Sequence, residues 1–229
     1  MSDPAPGPAL LERSTRVVLR PVGNPLPLGF LALAGGTLVV SGLQLGWVDA
    51  AEGGNVAVVL IAFVFPLQLL ASILGYLARD VVAGTGMGIL AGAWLAVGLV
   101  LFRSRPGATS DALGLLLLLA AAAICVPATG ALLGKLVPAA VMFTTAARYA
   151  VTGVYELTGS AGWEDGAGYL GLVLCAVAFY AAVAMLLEDV RRRTVLPVLR
   201  RGAGQVSMTG NLADQLQRLE AEAGVREQL

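Results

Sequence analysis

Thr144, Thr145, Arg148, Thr152 and Tyr155 are the residues whose types and spacing could do chemistry. At 100° per helical residue they fall within about 60° either side of Arg148. A helix here would therefore carry a guanidinium flanked by hydroxyls on one face. The stretch belongs to an apolar run, 137–158, with Arg148 close to its middle. An arginine at bilayer depth costs at least ~2.5 kcal/mol on insertion scales, so it has to face a bundle interior or a watery cavity. No acidic residue lies at matching depth: Glu156, Asp80, Glu188 and Asp189 all sit near the ends of apolar runs. A buried cation without a protein counter-ion is a candidate anion site. The alternative is an arginine that bonds backbone carbonyls or bridges subunits.

Other chemistry is sparse. There is no histidine, which removes the commonest general base, proton shuttle and metal ligand together. With one lysine, no clustered carboxylates and no metal-ligand spacing, an enzyme is not expected, nor a cofactor or metal. Cys125 and Cys175 lie in apolar runs and read as small packing residues. Gln68, beside Pro66, is a donor and acceptor that needs a partner. Trp94 and Tyr180 read as packing residues or subunit contacts, and only secondarily as pore-lining. Gly84, Thr85, Gly86, Met87 and Gly88 superficially resemble a phosphate loop, but they lie in an apolar run without the lysine such a loop needs. Gly84, Gly88 and Gly92 instead follow the small-xxx-small spacing that brings membrane helices together.

The elements that must position these residues are membrane spans. The chain has 229 residues, 57% hydrophobic and only 13% charged, with a mean hydropathy of +0.80. A hydrocarbon core about 30 Å thick needs roughly 20 apolar helical residues. Six such windows recur, at 27–46, 56–78, 81–102, 112–133, 137–158 and 167–187. Lipid requires every backbone polar group to be paired within the protein, and no ten-residue alternation suggests a β-barrel. The expected fold class is an all-α integral membrane protein, a six-transmembrane-helix bundle. Its domains are a cytoplasmic N-terminal arm (1–23), the transmembrane unit (24–190), and a cytoplasmic basic segment with linker and short amphipathic helix (191–229). In that last helix Leu212, Leu216, Leu219 and Ala223 share a face, with Asn211 as cap.

Formal net charge is zero, so only its distribution informs. Arg13, Arg16 and Arg20 precede the first span, and Arg191, Arg192, Arg193, Arg200 and Arg201 follow the last. The 47–55 and 159–166 connections carry acids and no base. Both termini are therefore expected to be cytoplasmic, in a multi-pass protein of the plasma (inner) membrane, and Arg103 and Arg105 are outvoted. With no apolar h-region in residues 1–26, the first span serves as the insertion signal. The connections read as short except 103–111 and 156–166, so neighbouring spans run antiparallel.

The first span opens on Asn24-Pro25-Leu26-Pro27-Leu28-Gly29. Prolines lack the N–H that a helix start leaves unbonded anyway, and Asn24 can cap the amides beyond them. The reading is either a rigid entry turn or a helix N-terminus facing an anion, as in transporters with broken helices. The last span opens on Ala167-Gly168-Tyr169-Leu170-Gly171-Leu172, with Tyr180 following, and Arg193-Thr194-Val195-Leu196-Pro197 comes after it. In these three segments the chain resembles the acetate uptake transporter family, the YaaH-type acetate/succinate permeases, over roughly residues 24–197. The motif residues are Asn24, Pro25, Pro27, Leu28 and Gly29.

The resemblance implies a six-helix protomer in a ring-shaped homo-hexamer, each protomer holding its own path for small carboxylates. It places Gln68 at a family glutamine, and Thr85 and Trp94 at matched positions. Gly75 stands where a glutamate is common, and Leu90 where a tyrosine is. The narrow part of the path then falls at Leu33, Leu90 and Thr145, none of them aromatic. Arg148 has no counterpart in the family motifs.

The leading expectation is a transporter or channel for acetate or similar small monocarboxylates, its path lined by Leu33, Gln68, Leu90, Thr145 and Arg148. Its partners are then the small carboxylate solute, the lipid bilayer and further copies of itself, with no nucleic acid. The rivals are a channel for a small neutral solute, with Arg148 structural, and a non-transporting membrane scaffold or sensor that works through its C-terminal helix.

Overall fold

The computed structural model describes residues 22–191 and 193–201. The N-terminal arm up to residue 21 and the amphipathic helix expected near 211–223 lie outside the described residues.

The described chain is helical, without strands, and its helices are α1 (Leu26–Gln44), α2 (Ala50–Leu77), α3 (Val81–Arg103), α4 (Asp111–Leu132), α5 (Leu136–Thr158) and α6 (Ala161–Arg191). Five of them, all but α5, are long and apolar enough to cross a membrane. The 137–158 window is helical as expected, but Arg148 and its polar neighbours make α5 less apolar than the rest.

Each start has a local cause. Asn24 Oδ1 accepts the Leu26 amide at 3.1 Å, and Pro27 sits in the first turn of α1, where no N–H is missed. Asp49 takes the Ala51 amide at 2.8 Å, Asp80 the Ala83 amide at 2.9 Å, and Ser110 the Leu113 amide at 3.4 Å. Each is an N-terminal cap of the kind that stabilises a helix by about 1 kcal/mol. Inside α2 a wide π turn over Leu60–Val64 precedes Pro66. A proline ring clashes with the carbonyl four residues back, and the wider turn gives it room.

Two connections are shorter than the sequence suggests. The first ends at Asp49, because that cap starts a 3-10 turn at Ala50. The one expected over 156–166 shrinks to Gly159 and Ser160. Gly159 ends α5 in the left-handed region (φ 62°), and the Ser160 carbonyl at once accepts the Trp163 and Glu164 amides. Glu164 then lies in the first turn of α6, where the helix dipole favours an acid.

Helices adjacent in sequence pack side by side, and α6 returns against α1, so the six close into a ring. Phe30, Leu33, Leu60, Met87, Leu90 and Trp94 are among the large side chains buried inside it. Large apolar side chains such as Leu38, Phe63, Leu77, Phe102, Leu119 and Phe179 point outward. A core and an exterior that are both apolar are what a bilayer selects.

The glycine row of α3 divides. A Cβ on Gly84 would strike the Tyr76 ring and one on Gly88 would touch Ser72 Oγ, but Gly92 faces open space. Eight residues of helix turn a side chain about 80° away from the first, so the row leaves the α2 contact. Among the described glycines Gly75 makes the tightest approach to another backbone, since a Cβ there would come within 2.8 Å of the Gly84 nitrogen.

After α6 the segment 193–201 folds back as a strap beneath α5. The Leu136 and Val137 amides donate to the Leu199 and Val198 carbonyls, and the Arg201 amide to that of Gly134. Glu188 pairs with Arg200, Tyr180 donates to the Pro197 carbonyl at 2.9 Å, and Val198 is buried.

Candidate functional site

All five expected path residues are buried in the ring, with Leu33, Gln68 and Thr145 fully enclosed. Leu33 and Leu90 belong to one continuous apolar core. Thr145 spends its hydroxyl on the Val141 carbonyl of its own helix at 2.8 Å, so it presents its methyl group as a third apolar surface. Gln68 Nε2 donates to the Gly29 carbonyl at 3.3 Å, tying α2 to the entry motif of α1. Its Oε1 is buried without a partner. Gly29 itself permits this approach, because a Cβ there would run into the Met87 and Ala71 side chains.

Cavities lie at both ends of the ring. The larger, about 250 Å³, opens at the end away from the described chain's termini and is lined by Gln44, Leu101, Arg105, Thr152, Tyr155 and Glu164, among others. Glu156 also reaches it and accepts the Ser110 amide at 2.8 Å, and Tyr155 donates to Glu164 at 3.1 Å. The smaller, about 150 Å³, is bordered by Leu26, Asp80, Lys135 and Met142 at the opposite end. Leu33, Leu90 and Thr145 line neither cavity.

Arg148 lies below the floor of the larger cavity, 2% exposed. Its Nη2 donates to Gln44 Oε1 at 3.2 Å, and its Cζ stands 5.9 Å from the Trp94 ring centroid. A desolvated cation over an indole face is stabilised by about 2 kcal/mol. Among the described residues no carboxylate pairs with it, and its Nε has no hydrogen-bond partner. An unmade bond to a buried polar group costs about 1–3 kcal/mol, and more for a charged one. Of the face expected from periodicity, Thr152 and Tyr155 line the cavity, Thr145 and Arg148 are buried beneath it, and Thr144 is half-buried.

Sequence reasoning missed three neighbours of Arg148. Gln44 stands at the end of an apolar run, 104 residues away in sequence, where only its polarity could draw notice. Ser41 is buried with its hydroxyl unpartnered. Gly171, already part of the last-span motif, is the third: a Cβ there would strike both Ser41 Oγ and Arg148 Nε. Trp94, expected to pack, to make a subunit contact or secondarily to line a path, is the aromatic face under the cation. The arrangement supplies one fixed positive charge, neutral donors beside it, and an apolar barrier elsewhere. Such a site can bind or pass a small anion.

Comparison with curated proteins finds no match. Among solved structures, that of the bacterial acetate channel SatP superposes with a TM-score of 0.69 at 25% sequence identity, covering 77% of this chain and 99% of that one. The GPR1/FUN34/yaaH family profile matches residues 8–200, which contain all three motif segments and every residue of the site. With the whole helical ring inside that match, the chain belongs to the GPR1/FUN34/yaaH family.

Proposed function

We propose that this protein is a membrane channel or transporter, not an enzyme, for acetate and similar small monocarboxylates. The reading rests on family membership and the likeness to SatP, and the observation that carries it is Arg148. A buried guanidinium without a carboxylate partner lies under a cavity that opens at one end of the ring. It would attract a carboxylate at low dielectric, while Leu33, Leu90 and the methyl of Thr145 would exclude bulk water and larger anions. Gln68 would offer its free oxygen and its amide along the same path.

The wider reading adds α5 as a sixth span, because its arginine points inward and its exterior is apolar. It places the protein in the plasma membrane with both termini cytoplasmic, on the arginine distribution. It takes 24–190 as the transport unit and the oligomer as a homo-hexamer, as the family resemblance implies.

The test is flux of labelled acetate into liposomes holding the purified protein, against empty liposomes, with chloride and a neutral solute alongside. Saturable acetate flux above the passive leak of acetic acid supports the reading, and Arg148→Leu should abolish it while leaving the oligomer intact. No flux from a well-folded oligomer overturns it. The bond from Arg148 to Gln44 gives one specific reason for a second reading, in which Arg148 is structural and the solute neutral. Flux insensitive to solute charge would favour that one.

A further inference from the structure

The side-on edge of an arginine, Nε–H together with one Nη2–H, matches the two oxygens of a carboxylate. In this chain that edge is half used. Nη2 of Arg148 donates to Gln44 Oε1, while Nε, equally buried, has no partner. Ser41 Oγ, also buried and unpartnered, lies beside it, for both atoms crowd the position of a Gly171 Cβ. The buried hydroxyls of Thr37, Ser72 and Thr145 are bonded to the Leu33, Gly84 and Val141 carbonyls, whereas that of Tyr149, like Ser41 Oγ, has no partner. What marks this place is that two unmade donors, Arg148 Nε and Ser41 Oγ, crowd one point.

A glutamine amide has one oxygen and cannot fill both halves of the edge. A carboxylate can. Gln44 is half-buried and lines the larger cavity, so its side chain has space to withdraw into. No fixed carboxylate among the described residues competes for the edge.

We propose that Arg148 Nε and Nη2 with Ser41 Oγ form a carboxylate subsite, and that Gln44 is its resident acceptor. The amide oxygen holds the place of the solute in the empty protein and yields it when a carboxylate arrives from the cavity. Gln44 therefore sets affinity and specificity. A planar anion with two oxygens gains both halves of the edge, whereas a spherical halide gains no such fork. Trp94 holds the guanidinium plane in place during the exchange. This inference rests on the carboxylate reading above.

The experiment uses the full-length protein in liposomes and in detergent. Gln44→Glu supplies an internal carboxylate for Arg148, and acetate flux should fall about tenfold or more, as a fixed ion pair excludes the mobile anion. Gln44→Ala removes the competitor, and the acetate concentration for half-saturation should fall several-fold. Ser41→Ala should raise it. A background of Trp47→Phe and Trp163→Phe, both exposed residues, leaves Trp94 as the reporter tryptophan. Its emission should shift on acetate titration, and the shift should vanish with Gln44→Glu.

Wild-type flux with Gln44→Glu and Gln44→Ala both unchanged would overturn the inference and leave the transport reading standing. If Gln44→Glu fails to fold, an unchanged half-saturation in Gln44→Ala overturns it alone. A Trp94 shift without flux of any solute would keep the subsite and remove the transport reading. Neither shift nor flux would remove both.

Discussion

Arg148 is legible in the sequence as an anomaly, and its burial follows from the same physics that made it stand out. Its surroundings are not legible, because Ser41, Gln44, Trp94 and Gly171 come from three other helices. The role of Gly171 shows what a motif conceals: the glycine is needed by an arginine 23 positions earlier, not by its own helix. Gly171→Ala should force Arg148 or Ser41 aside and lower stability by about 1–3 kcal/mol, read as a reduced Tm in detergent. Arg148→Lys tests the fork directly. An ammonium is a point charge without a bidentate edge, so the variant should keep anion flux but lose preference for acetate over chloride, measured in the same liposomes.

At the scale of elements, capping residues and prolines set the helix starts, and the starts agree with the sequence reading to within a few residues except at two connections. The 156–166 stretch holds Gly159, Ser160, Gly162 and Gly166. Only the first two act as breakers, since the Ser160 carbonyl restarts the helix at once. The π turn before Pro66 was not foreseen, as a proline within an apolar run signals a kink without saying which kind. Gly75, which departs from the family's common glutamate, is where α2 and α3 touch backbone to backbone. Gly75→Ala should separate them and cost about 1–3 kcal/mol, whereas Gly92→Ala, facing open space, should leave protomer stability unchanged. Thermal unfolding of the two variants side by side checks the contrast.

At the scale of the molecule, the strap after α6 pins the start of α5 to the end of α6. Its Glu188–Arg200 pair is largely buried, with side-chain exposures of 3% and 16%. Breaking a buried pair by removing one partner costs about 3–5 kcal/mol. Glu188→Ala should therefore lower Tm more than the loss of any exposed charge. Limited proteolysis should then cut at 193–201, where the wild type resists.

Hydrophobicity and length alone determined that the chain lives in a bilayer, because lipid admits few ways to satisfy a backbone. Charge distribution suggested an orientation, and three short motifs pointed to the family. Each of these is a local property, written within one helix or its ends. The tertiary structure alone decided which polar groups share a pocket with Arg148, which glycines are contacts and which are not, and that the basic tail folds back as a strap. Those depend on the rotation and crossing of helices about the ring. A few tens of degrees of rotation exchange an inward residue for an outward one, and helical periodicity within one span does not fix its angle relative to the next.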